Sequence, residues 1–575
     1  MKQRFLLKMM LASLMLVGFS AQAMAVSDGD ILTVTADGAQ KGWQYKVTDA
    51  ANKKVLLYTA YDAADRGGVK PSGDITISDA VTIGEETYTV VAVSYPEATY
   101  ETGAFSICED ITSVTITGSN IKTIGKHAFN RCTKLETATL GSVEEIGQYS
   151  FQYTNSLSSF TANNLVTVGQ YAMSRSGIQT LTLSNTVKKI EGCAFEYSEL
   201  QTLTIGTGLT TIEYSGYGTF EYAQSLATIA VDEGNATFSS EDGILYSKDK
   251  KTLWVYPMGK TDTEVTVKSG VTTIGDYAFN GNTTIKSLII PEGVTAVNSQ
   301  ALRAMYYLER LQLPSTIAAF DYTNAIDCSN LKTVVVLKMV PEKFLFDNGY
   351  GTYYSFKGRI PADAKLYVPY TALKAYQEFA DNTFGTEYTC PLVQPAYEYT
   401  TFACTSGVDF SGADGLTAYV ASSFDGTKVT LTPKTEAPAG TGMVLKGTAG
   451  KIYLLNVKDG AAAVGDNLLK GVTTDFTISQ IDGAYTNFLL GDAGFGKVST
   501  TGTLAAGKAY LQLETSKITS GARSIDIDID DDNVTGIKLI EQTSGQSVYY
   551  DLKGRRVLNP RKGLFILNGK KVIIK

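Results

Sequence analysis

The sequence predicts a mainly β protein, built as a solenoid of stacked repeats with β modules on either side. Three observations carry this. Of 575 residues, 19% are charged and 10% aromatic, with 54 glycines and 34 tyrosines. That balance suits strands and turns better than long amphipathic helices. A short block also recurs through the middle of the chain at a spacing of about 22–25 residues. After each copy comes an apolar pattern of period two, which buries alternate side chains of a strand.

Charge and composition exclude whole classes of function. Acidic groups outnumber basic ones, 58 to 50, for a net charge of -8, a poor match for nucleic acid or anionic lipid. The single histidine removes most His-based triads, zinc sites and proton shuttles. The chain reads as a binding protein and not an enzyme, with no catalytic, cofactor or metal residues assigned.

The N-terminus has the pattern of an export signal over residues 1–25. Lys2, Arg4 and Lys8 precede an apolar run from Met9 to Phe19, and Ala21-Gln22-Ala23 and Ala23-Met24-Ala25 offer small-x-small cleavage sites. No later window is long and apolar enough for a membrane helix. Residues 26–95, with Trp43 to Val47 and Tyr88 to Val93 alternating like strands, are expected to cap the first repeat, since a bare end would expose an apolar face and a sheet edge.

The repeat block reads Ile124-Gly125-Lys126-His127-Ala128-Phe129, then Ile146 to Phe151, Val168 to Met173, Ile190 to Phe195 and Ile274 to Phe279, with a weaker copy at Val297 to Leu302. Strand patterns follow, such as Leu135/Ala138/Leu140, Ile178/Leu181/Leu183 and Leu308/Leu311/Leu313. No copy could bury its apolar face alone, so the copies must stack. This I-G-x-x-A-F…C-x-x-L unit resembles the BspA-type leucine-rich repeats of Bacteroidetes surface proteins. The resemblance covers residues 96–385, including a β-hairpin insert near 235–260 (Asp242 to Asp249) and a terminal unit at Leu366-Tyr367-Val368-Pro369. Glu191 stands where the anchor glycine belongs, and the Val297 copy lacks both Gly and Phe; local irregularity is expected there.

Residues 395–532 read as a further β module, with turn signals at Asp425-Gly426 and Asp482-Gly483. Residues 533–575 are similar to the C-terminal sorting domains of type IX secretion, with a plain β-hairpin as the alternative.

The residues that could carry chemistry fall on the repeat register. His127 shares a column with Tyr149, Tyr171, Cys193 and Tyr277, which points to packing. Cys108, Cys132 and Cys328 share another column, where the family places thiols against the turn backbone. Cys108 with Cys132, and Cys390 with Cys404, remain either disulfides or free thiols on sequence grounds. Gly502 to Ala509 approaches a phosphate loop but has Ala509 where a hydroxyl is needed. Asp526, Asp528, Asp530, Asp531 and Asp532 lack the glycine and glutamate of a calcium loop, and they alternate with Ile525, Ile527 and Ile529 as a strand would.

The outward residues of the repeat strands form two columns. One runs Thr115, Thr139, Thr161, Thr182, Thr204, Ala230, Ile289, Gln312, Val335; the other begins Ser113, Thr137, Ser159, Thr180, Thr202 and reaches Arg310. The plain reading is β-propensity. The functional one is an uncharged docking face, with Thr139, Thr161, Thr182, Thr204, Ile289, Arg310 and Gln312 as candidate ligand residues. The family resemblance implies an adhesin contacting host matrix proteins, other cells or surface glycans; the N-terminal pattern implies a secreted or outer-surface location, and a monomer is expected. Glycan capture for nutrition, using tyrosines such as Tyr350, Tyr353 and Tyr354, and a periplasmic scaffold are the alternatives.

Overall fold

The computed structural model describes residues 26–60, 70–94, 97–99, 102–214, 218–320, 328–342, 361–379, 384–491 and 494–530, together with four strands between 549 and 574. Residues 1–25, where the sequence suggests an export signal, and Tyr350, Tyr353, Tyr354, Asp531 and Asp532 lie outside them. The chain divides into two compact units. The first comprises Met1–Ala396 with Cys404–Asp414 and Ala449–Asp459; the second comprises Tyr397–Ala403, Gly415–Thr448 and Gly460–Lys575.

The first unit is the solenoid. Each coil contributes one long and one short parallel strand. The long strands Gly73–Ile77, Ile111–Ile116, Thr137–Thr139 and Ser159–Thr161 form one sheet, and Thr180–Leu183, Thr202–Ile205 and Thr228–Val231 form the next. Thr123–Ile124, Glu145–Ile146, Thr167–Val168, Lys189–Ile190 and Thr211–Ile212 form the short-strand ladder. The register is fixed by the buried members. Ala138, Leu181 and Leu203 point inward while their threonine neighbours point out, and a one-residue slip would reverse every side chain.

The N-terminal strands complete both sheets. Lys54–Thr59 pairs with Glu86–Val93, which pairs in turn with Thr123–Ile124. Gly73–Ile77 pairs with Ile111–Ile116. Trp43 meets Phe105 edge-on at 5.2 Å, closing the end of a spine of anchor phenylalanines. Phe105, Phe129 and Phe151 stack at 5.1 and 5.2 Å, and Phe195 stacks on Phe220 at 5.6 Å. The insert runs as Phe238–Glu241, Ile244–Ser247 and Thr252–Val255, and its third strand pairs with Thr273–Ile274 to restart the short ladder. Tyr256 continues the spine, stacked on Phe279 at 5.0 Å.

The anchor glycine is required by close approach, because coils meet there backbone to backbone. A β-carbon on Gly169 would lie 2.7 Å from the Ile146 carbonyl oxygen and 2.8 Å from the Gly147 carbonyl carbon. Gly169→Ala is therefore expected to cost about 1–3 kcal/mol, although alanine is otherwise the better residue in regular structure. Urea denaturation of the variant checks this; unchanged stability would mean the coils can part freely.

The two irregular copies keep the coil geometry, contrary to expectation. The Glu191 amide still donates to the Val168 carbonyl at 2.9 Å, and its carboxylate accepts from the Gln170 amide at 3.0 Å and from Lys189 at 2.9 Å. The bulk is accommodated because the side chain turns to partners at the surface. At the weaker copy, Asn298 donates to the Ile274 carbonyl at 3.0 Å, and Leu302 is buried in place of phenylalanine.

After the insert, the long strands resume with Glu264–Thr266, Ser287–Ile289, Arg310–Leu313, Thr333–Val336, Lys365–Pro369 and Thr389–Val393, and the edge is closed antiparallel by Tyr453–Leu454.

The second unit carries a ten-stranded sheet from Tyr399–Phe402 to Leu469–Val472, cored by Val429, Leu431, Val444, Phe488, Phe495, Leu511 and Ile525. Asp526 and Asp528 lie exposed on the strand Ser524–Ile529, which pairs with Lys428–Lys434, as the alternation predicts. The Gly502 to Ala509 segment is strand, turn and strand, with Lys508 opening Lys508–Glu514. A phosphate loop needs a helix there. Near the C-terminus, Tyr549–Tyr550, Arg556–Val557, Gly563–Leu567 and Lys570–Ile574 pair antiparallel.

Candidate binding surface

Two surfaces of the solenoid are periodic, and they lie on different faces of each coil. The first is the long-strand face. Thr115, Thr139 and Thr161 are in register, as are Thr182 and Thr204, which lead to Ala230. The strand Gly73–Ile77 extends the column backward through Thr76. Thr139, Thr161 and Thr182 are exposed, and Thr204 is half-buried. The parallel column Thr137, Ser159, Thr180, Thr202 and Thr228 is also uncharged. It ends at Asp74, whose carboxylate accepts from Ser113 at 2.6 Å and Thr112 at 3.0 Å. Those bonds hold the Asp74 carboxyl below its ordinary range.

Toward the C-terminal end this face changes character. Ile289 and Arg310 are half-buried, and Gln312 is buried at 8% exposure. This corrects the expectation of an open face there. The reason lies beside it. Gln312 pairs with Val335, which pairs with Tyr367, and Val335, Tyr367, Cys390 and Leu392 form a separate apolar cluster under Ile452, Leu454 and Val457. The returning segment 449–459 thus covers these strands, and Lys365 donates to Asn456 at 2.8 Å. The column turns apolar because it is an inner surface. Arg310, desolvated, has its pKa pushed down and donates to Gln312 at 3.4 Å.

The second surface is the turn side, where the repeat register places packing residues. Two positions of the coil recur in the left-handed region, mostly in non-glycine residues. One is His127, Tyr149, Tyr171, Cys193, Tyr277 and Gln300; the other is Arg131, Tyr153, Arg175, Tyr197, Tyr222 and Ala304. Such backbone is costly for L residues. Here each coil repeats it, and stacking holds it. His127, Tyr149 and Tyr171 stack at 4.8 and 5.0 Å. Desolvation, with Lys126 adding to it, pushes His127 down to about 4. At neutral pH it is an uncharged ring in a stack, which agrees with its column.

In the second column, the Arg131 guanidinium lies 5.0 Å from the Tyr153 ring centre, and Arg175 lies 5.4 Å from Tyr153 and 4.1 Å from Tyr197. Tyr197 stacks on Tyr222 at 4.5 Å. Tyr197, Tyr306 and Tyr307 are exposed. The alternation of Arg and Tyr at the repeat spacing was visible in the sequence, but only the left-handed turn places it at the surface.

Between the two columns runs a line of polar residues. Asn130 donates to Gln152 at 3.0 Å and Ser174 to Glu196 at 3.1 Å. Glu221 is buried, with one carboxylate oxygen unpartnered. It lines a small cavity with Tyr214, Trp254, Tyr256 and Asp276. Desolvation pushes its carboxyl up to about 7, opposed by Arg303 and reinforced by Glu196.

All six cysteines are free and buried. The Cys132 thiol donates to the Phe105 carbonyl at 3.2 Å and Cys328 to Leu302 at 3.3 Å. Burial pushes Cys108 up to about 12 and Cys404 to about 11. The column is a backbone-capping device, and the disulfide alternative is not realised. Among the described residues no cluster of His, Cys, Asp and Glu could hold a metal ion, and no helix is long and apolar enough to cross a membrane.

The profile of the family described as BspA type leucine rich repeat region matches residues 98–227 and 259–347, in six copies. No curated protein matches. Among solved structures, the pneumococcal vaccine antigen PcpA is 21% identical, covering 63% of this chain and 99% of its own, with a TM-score of 0.45. A leucine rich cell surface protein from Faecalibacterium prausnitzii is 20% identical, covering 61% and 91%, with a TM-score of 0.43. A leucine-rich repeat protein from Bacteroides ovatus is 20% identical, covering 60% and 79%, with a TM-score of 0.38. The stacked coils of this chain, with their anchor glycines and phenylalanine spine, form a leucine-rich-repeat β-solenoid whose residues 98–227 and 259–347 match the BspA-type repeat.

Proposed function

We propose that this protein is an exported surface binding protein, acting as an adhesin that docks an extracellular protein or glycan on the hydroxyl-bearing strand face. One observation carries the reading. The outward columns from Thr137 to Thr228 present hydroxyls and no charge, and Thr139, Thr161 and Thr182 stand open to solvent. A flat face of this kind binds an extended partner through many weak contacts without desolvating ions. Export is supported by the basic, apolar and small-residue succession of residues 1–25, and anchoring by the sorting-like residues 533–575.

The test is a triple variant, Thr139→Asp, Thr161→Asp and Thr182→Asp, assayed on immobilised matrix proteins, cell monolayers and a glycan array. Thr139 and Thr161 are cross-strand partners, so facing carboxylates lower the melting temperature somewhat, and binding is read at a temperature where circular dichroism shows the triple variant folded. Binding should fall by about tenfold or more, because each new carboxylate must be desolvated on docking. A signal on the array alone favours glycan capture over adhesion to protein. Undiminished binding by the folded triple variant removes the strand face from the proposal.

A further inference from the structure

We propose a second binding site on the turn side of the solenoid, the ladder Arg131, Tyr153, Arg175, Tyr197 and Tyr222, which takes an extended acidic polysaccharide bearing a carboxylate on alternate sugars. It is independent of the strand-face reading.

The geometry supplies the argument. The Arg131 guanidinium rests over one phenol ring, Tyr153, at 5.0 Å, and Arg175 sits between two, Tyr153 at 5.4 Å and Tyr197 at 4.1 Å, so both cations are braced by aromatic rings. Among the described residues, neither Arg131 nor Arg175 makes a side-chain hydrogen bond or an ion pair, so these donors are unspent. A guanidinium braced by aromatic rings, with its N–H donors unspent, is suited to bidentate capture of a planar carboxylate.

The acid beside Arg175 is Glu196, half-buried and accepting from the Ser174 hydroxyl at 3.1 Å; among the described residues no ion pair joins it to Arg175, so a ligand carboxylate competes with it only through the field. The chain as a whole carries net negative charge, so an anion must be recognised locally and not by a general field.

Spacing selects the class of anion. The two arginines are two coils apart, and neighbouring strands advance by about 4.8 Å, which puts the cations about 10 Å apart. Two coils match the advance of a disaccharide in an extended chain, with the phenol hydroxyls of Tyr153 and Tyr197 falling opposite the intervening sugars. A polymer with a phosphate on every unit would place charge opposite tyrosines as well, and two cations are too few for the counterion release that drives nucleic-acid binding.

The experiment titrates the full-length protein with a hyaluronan octasaccharide, with the same octasaccharide after its carboxyl groups are reduced to alcohols, and with inorganic polyphosphate, all at low salt. The acidic octasaccharide should bind, and the reduced one should bind at least about tenfold more weakly, as expected for lost bonds to a charged partner. Arg131→Gln with Arg175→Gln keeps a planar stacking group and should cause a similar loss with an unchanged circular dichroism spectrum. A second readout needs no variant: the octasaccharide should protect Arg131 and Arg175 of the wild-type chain from phenylglyoxal, read by mass spectrometry. Absence of binding, equal binding of the reduced chain, stronger binding of polyphosphate, or unprotected arginines would each overturn the proposal.

Discussion

Phe151→Ala should destabilise the solenoid by about 3–5 kcal/mol, the cost of truncating a fully buried aromatic where the surroundings cannot collapse. Phe151 is completely buried, stacked on Phe129 at 5.2 Å and edge-on to Phe160 at 5.5 Å. Its own amide donates to the Ala172 carbonyl of the next coil at 2.8 Å, so the ring sits where two coils are pinned together. Stacked repeats depend on nearest-neighbour interfaces, and one hole weakens both interfaces that the ring serves. Met173 occupies the same column naturally and is also fully buried. Phe151→Met should therefore cost under about 1.5 kcal/mol. Urea melts followed by circular dichroism separate the two. Equal effects of Ala and Met would show that the spine is not a continuous packing element.

The second large effect is a pH dependence centred on Glu221. Its folded carboxyl is pushed up to about 7, mainly by desolvation, from an ordinary value of 4.5. Folded protein holds this proton more tightly than unfolded protein. The stability it contributes is therefore full below about 4.5 and is lost as pH rises to about 7. A shift of that size corresponds to on the order of 3 kcal/mol. The groups that face it set the balance. Arg303 and Asn280 favour the charged form, Glu196 opposes it, and the phenols of Tyr222 and Tyr277 are pushed above their ordinary range. Glu241, salt-bridged to Lys250 and Lys268 and held down to about 2, acts with the opposite sign at lower pH. The clean quantity is thus the difference between the wild type and Glu221→Gln. Between pH 4.5 and 7 the wild type should lose stability relative to the variant. Parallel pH profiles would mean that Glu221 is solvated and titrates normally.

The repeats were legible because they obey a period. Ile124 to Phe129 and its copies state which residue turns, which packs and which pairs, and the stacked coils follow from the need to bury each apolar face. The packing role of His127 and the cysteine column came from the same register. Other features were not legible, since they depend on segments far apart in the chain. Gln312 and Val335 looked like the end of an exposed column, yet residues 449–459, more than a hundred positions later, lie over that cluster. The ladder of Arg131, Tyr153 and Arg175 was written at the repeat spacing, but its exposure depends on a left-handed turn that no residue type there announces. Glu221 is an ordinary surface-type residue by identity, and only the neighbouring coils bury it. By itself, then, the sequence determined the β class, the repeat and the inward-facing core, because those are local periodic patterns. The tertiary structure decided which outward residues remain open, because exposure depends on what a distant part of the chain sets against them.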